Sequence, residues 1–170
     1  MLDAVPLAPV RRRRTPRLLA AVPSLLALGT LLVEPSPTVM RKDDTFITAA
    51  TPGILNIEGA ECFTDPTYSV TADEKVVLYR ACDEGAANQS YGFLLADDGA
   101  YDRPALAEFA RRGCERGFRE QWGERETAES ALDFYPVLPT AETWAGGDRD
   151  IMCVVYSPRG ELTKSMLPLL

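Results

Sequence analysis

The chain has 170 residues, an ordinary globular share of apolar and charged residues, and no histidine. A length of this order allows one domain plus a targeting segment. The lack of histidine excludes Ser-His-Asp and Cys-His catalysis and any mixed Cys/His zinc site. Charge is divided: residues 1–44 carry seven basic and four acidic side chains, and residues 45–170 carry eleven basic and twenty-one acidic ones. An acidic domain repels the phosphate backbone, so no nucleic-acid partner is expected.

Residues 1–17 are basic, with Arg11, Arg12, Arg13, Arg14 and Arg17 leading into an apolar run over 18–33. Basic flanks resist translocation, so the arginines are expected in the cytoplasm and the rest of the chain outside. The sixteen-residue run falls between a secretory core of ~7–15 residues and a spanning helix of ~17–25. No small-x-small cleavage site follows it, only Glu34, Pro35, Ser36 and Pro37. It therefore reads as an uncleaved single-pass membrane anchor, with a cleaved signal and a secreted product as the alternative. Residues 34–52, with three prolines, read as a spacer, and 53–170 as the extracytoplasmic domain.

Within that domain Ile54–Phe63 has strand character, and Asp65, Pro66 and Thr67 signal a turn. Lys75–Cys82 is short and rich in β-formers, so it reads as a strand covered on both faces. Tyr91–Leu95 is a further strand candidate. Asp102, Arg103 and Pro104 then open a helix, aspartate as cap and proline in the first turn, that runs to about Gln121 or Trp122. Leu106, Phe109, Ala110, Gly113, Cys114, Gly117 and Phe118 share one face of it at helical spacing. Arg125–Asp133 is charged loop or helical turn, and Pro136 and Pro139 argue against regular structure after it. Asp150–Ser157 is a clear strand, Pro158–Gly160 a turn, and Glu161–Met166 a candidate edge strand. The order implies an α+β fold, a small mostly antiparallel sheet with one main helix packed on it.

The four cysteines, Cys62, Cys82, Cys114 and Cys153, all lie in the acidic part and lack the close spacing of metal-binding pairs. No metal and no cofactor is expected. An even count behind an export signal reads as two disulfides. Three connectivities are open. The reading favours Cys62 with Cys82, on successive strand-like segments, and Cys114 with Cys153, a helix facing the strand it covers.

Lys42, Lys75 and Lys164 sit in no catalytic motif, and Glu124, Glu126, Glu129 and Asp133 read as a solvated face. The chain is expected not to be an enzyme. An envelope glycan hydrolase using two carboxylates is the alternative. One constellation stands out: Trp144, Gly146, Gly147, Asp148 and Arg149 lead into the strand that bears Cys153. Glycines open otherwise closed backbone angles, and aspartate and arginine can tie a tight turn. Trp144, Gly147, Asp148 and Arg149 are thus a structural turn beside a disulfide or a binding edge built from it.

These residues carry a resemblance to the septum formation domain of actinobacteria. Its pattern is approximately Gly-Asp-Cys-Phe, a strand ending in Cys-x-x-Pro-His, a helix bearing Cys, then Pro-Thr, Trp, Gly-Asp-Arg and a last Cys. Cys62, Phe63, Cys82, Cys114, Pro139, Thr140, Trp144, Gly147, Asp148, Arg149 and Cys153 match, over about residues 57–166. Ala60 and Glu61 stand where Gly-Asp is usual, and Gly85 and Ala86 where Pro-His is common. The resemblance implies a membrane-anchored interaction or scaffold domain of the cell envelope, linked to septum formation, with an envelope or division protein as partner. It implies no defined biochemical activity.

Overall fold

The computed structural model describes residues 39–129 and 132–167, without the side chains of 124–129. The expected basic terminus, the anchor and the spacer as far as residue 38 lie outside the described residues. Among the described residues no helix is long and apolar enough to cross a membrane.

A four-stranded antiparallel sheet is ordered β1-β4-β6-β5. It comprises β1 (Cys62–Phe63), β4 (Asn88–Leu95), β5 (Asp133–Val137) and β6 (Asp150–Tyr156). A separate hairpin pairs β2 (Thr67–Ser69) with β3 (Glu74–Val76). The main helix α1 (Arg103–Glu129) is broken at Gly123, where φ is 67°. A short helix α2 (Ala141–Ala145) precedes β6.

β6 is apolar at every position after Asp150, so it needs cover on both faces, and it has it. Ile151, Cys153 and Val155 face α1, meeting Leu106, Ala110, Cys114, Phe118 and Trp122. Met152, Val154 and Tyr156 face the opposite way, against Ile47, Ile54, Ile57, Phe63 and Val77. The helix starts as expected, with the Asp102 carboxylate accepting from the Ala105 amide at 3.1 Å. Gly113 lets it lie close on β4, because a Cβ there would stand 2.3 Å from Leu94 Cδ1. Phe109, expected on the buried face, is instead partly exposed.

Both disulfides form in the favoured connectivity, Cys62–Cys82 and Cys114–Cys153, and no cysteine is free. The first ties β1 to the segment before β4, and the second ties α1 to the central strand. Such bridges fit a domain that matures in an oxidising, extracytoplasmic setting.

Four local expectations are corrected. The part of the spacer from 39 to 52 is built into the domain: Ile47 and Ala49 are buried, and the Ala49 amide bonds Leu138 O at 2.9 Å. Its prolines conceal an apolar pair, Phe46 and Ile47, that covers β5 and β6. Lys75–Cys82 is not a strand covered on both faces. Only its first residues belong to β3, Leu78 and Tyr79 are 54% and 62% exposed, and 78–80 runs along β1. An apolar run without alternation does not say which faces are covered. Pro136 lies inside a strand, because β5 is an edge and one side of its backbone has no ladder bonds to lose. Glu161–Met166 forms no strand, only a two-bond bridge between Leu162 and Ala86.

Candidate functional site: an open strand edge and the turn that fixes it

Thr140 opens α2 with a reciprocal cap, its hydroxyl accepting from the Thr143 amide at 3.2 Å while Thr143 Oγ1 accepts from the Thr140 amide at 2.9 Å. This sets Trp144 into the core, where its indole N–H donates to Gly99 O at 2.9 Å. Gly147 then reverses the chain with φ 97°. Arg149 folds back so that its guanidinium lies 3.9 Å above the Trp144 ring. Its Nη1 donates to Trp144 O and Asp148 O, each at 2.8 Å, and its Nε to Asp98 Oδ1 at 2.9 Å. Asp148 Oδ1 accepts from the Asp150 amide at 3.0 Å, and its Oδ2 is buried with no partner among the described residues. The four residues singled out from the sequence are therefore together, and most of their polar groups are spent inside the turn.

That turn holds the end of β4. The Ala96 amide donates to Arg149 O at 3.0 Å, and Asp98 and Gly99 are tied as described. β4 itself is lopsided. β1 pairs only with Asn88 and Gln89, and the Ser90 amide adds one bond to Glu61 O. Past a bulge between Ser90 and Gly92, β4 has β6 on one side and, among the described residues, no strand on the other. Ala96 bonds toward β6, and backbone groups alternate sides along a strand, so the amides and carbonyls of Leu95 and Phe93 point to the open side. Their side chains lie on the face away from α1 and are 72% and 46% exposed. Leu94, between them, points the other way, into the cluster beneath α1. Phe93 and Leu95 carry no signal of a site in the sequence. Their short alternating pattern resembles any half-buried strand, and only the pairing order shows that one edge is unoccupied.

A second polar feature lies at the far end of the sheet. Lys42 Nζ is 4% exposed at the side chain and spends its three protons on Asp65 Oδ1 at 2.5 Å, Asn88 Oδ1 at 2.9 Å and Ala87 O at 3.2 Å. It also sits 5.0 Å from the ring centroids of Phe46 and Tyr156. Burial lowers its pKa, against the opposing pull of the Asp65 carboxylate. Tyr135 donates to Asn88 Oδ1 at 2.9 Å, and burial holds its phenol well above the ordinary range. Tyr156 donates to Asp133 Oδ2 at 3.2 Å, which gives that acid a structural contact. Two recesses of about 400 and 390 Å³ open beside this network. A lone lysine in a proline-rich stretch gave no signal of this role. Ala86 is fully buried and exchanges two backbone bonds with Leu162. Among the described residues no group of three or more acidic or cysteine side chains is placed to hold a metal ion.

Comparison with family models, curated proteins and solved structures gives no match for this chain.

Proposed function

We propose that this chain is an exported interaction domain of the cell envelope, tethered by residues 18–33, that recruits a protein partner through the open edge of β4. The observation that carries the reading is the pairing of two outward-facing backbone positions, Phe93 and Leu95, with large exposed apolar side chains at the same two positions. Soluble proteins usually blunt such an edge with charge, proline or cover, because it is a template for another strand. Strand addition gives affinity through main-chain bonds and specificity through alternate side chains. The two disulfides support an extracytoplasmic place for the domain. The motif of Cys62, Phe63, Trp144, Gly147, Asp148, Arg149 and Cys153 supports assigning it to septum-formation-type envelope proteins, with a division protein as the partner class.

Two measurements test this. A reporter active only outside the cytoplasm, fused after Leu170, is expected to be active, and activity of a cytoplasmic reporter there would overturn export. A photo-crosslinker at Leu95 in the native host is expected to join one partner, with Phe93→Lys abolishing the adduct. Equal crosslinking from Glu142, on α2, would overturn the edge as the contact.

A further inference from the structure

We propose that the recess of about 400 Å³ beside Lys42 binds a small zwitterion, an amino acid or short unblocked peptide, with Arg80 and Arg159 meeting its carboxylate and Asp65 and Glu161 its ammonium. The inference is independent of the β4 edge. The domain carries twenty-one acidic and eleven basic side chains over 45–170, so an arginine has many carboxylates to choose from. Arg103, Arg111, Arg112, Arg119 and Arg149 each pair with one. Arg41, Arg80, Arg116 and Arg159 do not, among the described residues, and two of these four, Arg80 and Arg159, line this one recess. Arg80 makes a single side-chain bond, from Nη1 to Gly85 O at 3.3 Å, which leaves most of its donors available. A guanidinium fork with free donors matches a carboxylate.

The opposite charge is equally available. Asp65 Oδ1 is taken by Lys42 and Asn88 Nδ2, but Oδ2 has no partner among the described residues, and the side chain is 32% exposed. Glu161, also on the wall, makes no ion pair among the described residues, and its carboxylate lies over Gly85. Lys42 is not a ligand group here, since its three protons are spent. It anchors Asp65 from beneath, so that the free oxygen has a fixed place.

The walls come from three chain segments, each held by the backbone. The Arg80 amide donates to Cys62 O at 2.9 Å, two residues from the bridged Cys82. The turn with Arg159 is closed by Gly160 N–H to Ser157 O at 3.3 Å and bound to Met40 through Pro158 O at 3.2 Å. Glu161 is set by its neighbour Leu162, which bonds Ala86 in both directions at 3.0 and 2.7 Å. Opposed unpaired charges on fixed walls, around a space of this size, suit a ligand that carries both charges and reject one that carries a single charge.

The test is a ligand titration of the full-length oxidised protein in detergent micelles, read by amide chemical shifts of Gly85 and Gly160. The probes are alanine, dialanine, N-acetyl-dialanine, dialanine amide and inorganic phosphate. Alanine or dialanine is expected to shift both amides saturably, and which of the two binds tighter reports the spacing of the charges. Blocking either end is expected to weaken binding at least about tenfold, as for loss of a charged hydrogen bond. Arg159→Gln should narrow the preference for the acid over the amide, and Glu161→Gln should reduce the penalty of N-acetylation, because Arg80 and Asp65 remain at the two ends. Both side chains are exposed and unpaired, so these variants keep the fold. Unshifted amides with both zwitterions, phosphate binding as tightly as dialanine, or variants with unchanged selectivity would overturn the proposal.

Discussion

Replacing both Cys114 and Cys153 by alanine isolates what the helix-to-sheet bridge contributes. The bridge joins residues 39 apart in sequence. In the chain-entropy model, closing a loop of that length in the unfolded chain is worth about 4 kcal/mol at 25 °C. Both cysteines are buried, at 0% and 3% exposure, so the lost sulfur contacts add to that cost and cannot be regained from solvent. A loss of about 4 kcal/mol is a large part of an ordinary stability of ~5–15 kcal/mol, and lowers the midpoint of thermal unfolding by roughly 15 °C for a domain of this size. Urea unfolding of the full chain, followed by the fluorescence of Trp122 and Trp144, measures it directly. Cys114→Ala alone should fall within about 1 kcal/mol of the double variant, because the partner thiol is already released from the loop. A double variant within about 1 kcal/mol of the parent would refute the reasoning. So would an unreduced peptide map that joins Cys62 to Cys114.

Three other perturbations follow from particular contacts. Gly53→Ala places a Cβ 2.1 Å from the Val77 carbonyl oxygen at a residue with φ 88°, so left-handed strain and loss of the 2.8 Å bond from the Val77 amide to Pro52 O should together cost about 3 kcal/mol in urea unfolding. Arg149→Ala removes the cation over Trp144 and three hydrogen bonds, and should cost about 2 kcal/mol. Arg149→Lys should recover only a small part, since an ammonium lacks the planar fork. A lysine variant as stable as the parent would show that charge alone suffices. Burial raises the pKa of Tyr91, Tyr135 and Tyr156 above the ordinary 10.0. The unfolded chain therefore releases these protons first, and stability should fall as pH rises above about 10. Lys42, with its pKa lowered from 10.5, acts in the opposite sense: stability rises with pH between its folded and unfolded values. Three tyrosines outweigh one lysine, so the net slope above about pH 10 is downward. Absorbance at 295 nm should show part of the tyrosine ionising only together with unfolding. Ionisation of all six tyrosines in the folded state would contradict the burial argument.

Several features were written in local sequence because their causes are local. The helix from Asp102 depends on a cap, a proline in the first turn and a 3.6-residue stripe, all within twenty residues. The β6 strand depends on seven residues of β-forming character. The pairing of the cysteines followed from them, since a stripe containing Cys114 and a strand containing Cys153 have to meet if the helix covers the sheet. The turn from Trp144 to Arg149 was likewise visible as a cluster, because glycine and charge at close spacing leave few other conformations.

The remaining features depend on which segment lies beside which, and that is decided by long-range packing. Nothing in the stretch around Lys42 marks it as part of the core, since its partners Asp65, Asn88 and Tyr156 are 23, 46 and 114 residues away. The apolar run at Lys75–Cys82 contains strong β-formers, yet only its start is a strand, paired with β2 outside the main sheet, and Leu78 and Tyr79 are left exposed. The open edge at Phe93 and Leu95 exists only because β1 stops after two residues. Likewise, the opposed charges of Arg80, Arg159, Asp65 and Glu161 meet only where three distant segments close on one recess. The sequence by itself determined the helix, the central strand and the disulfides, whose energies are summed over near neighbours. Only the tertiary structure decided the free edge and the charged recess, because each is defined by the groups that pairing leaves unmatched.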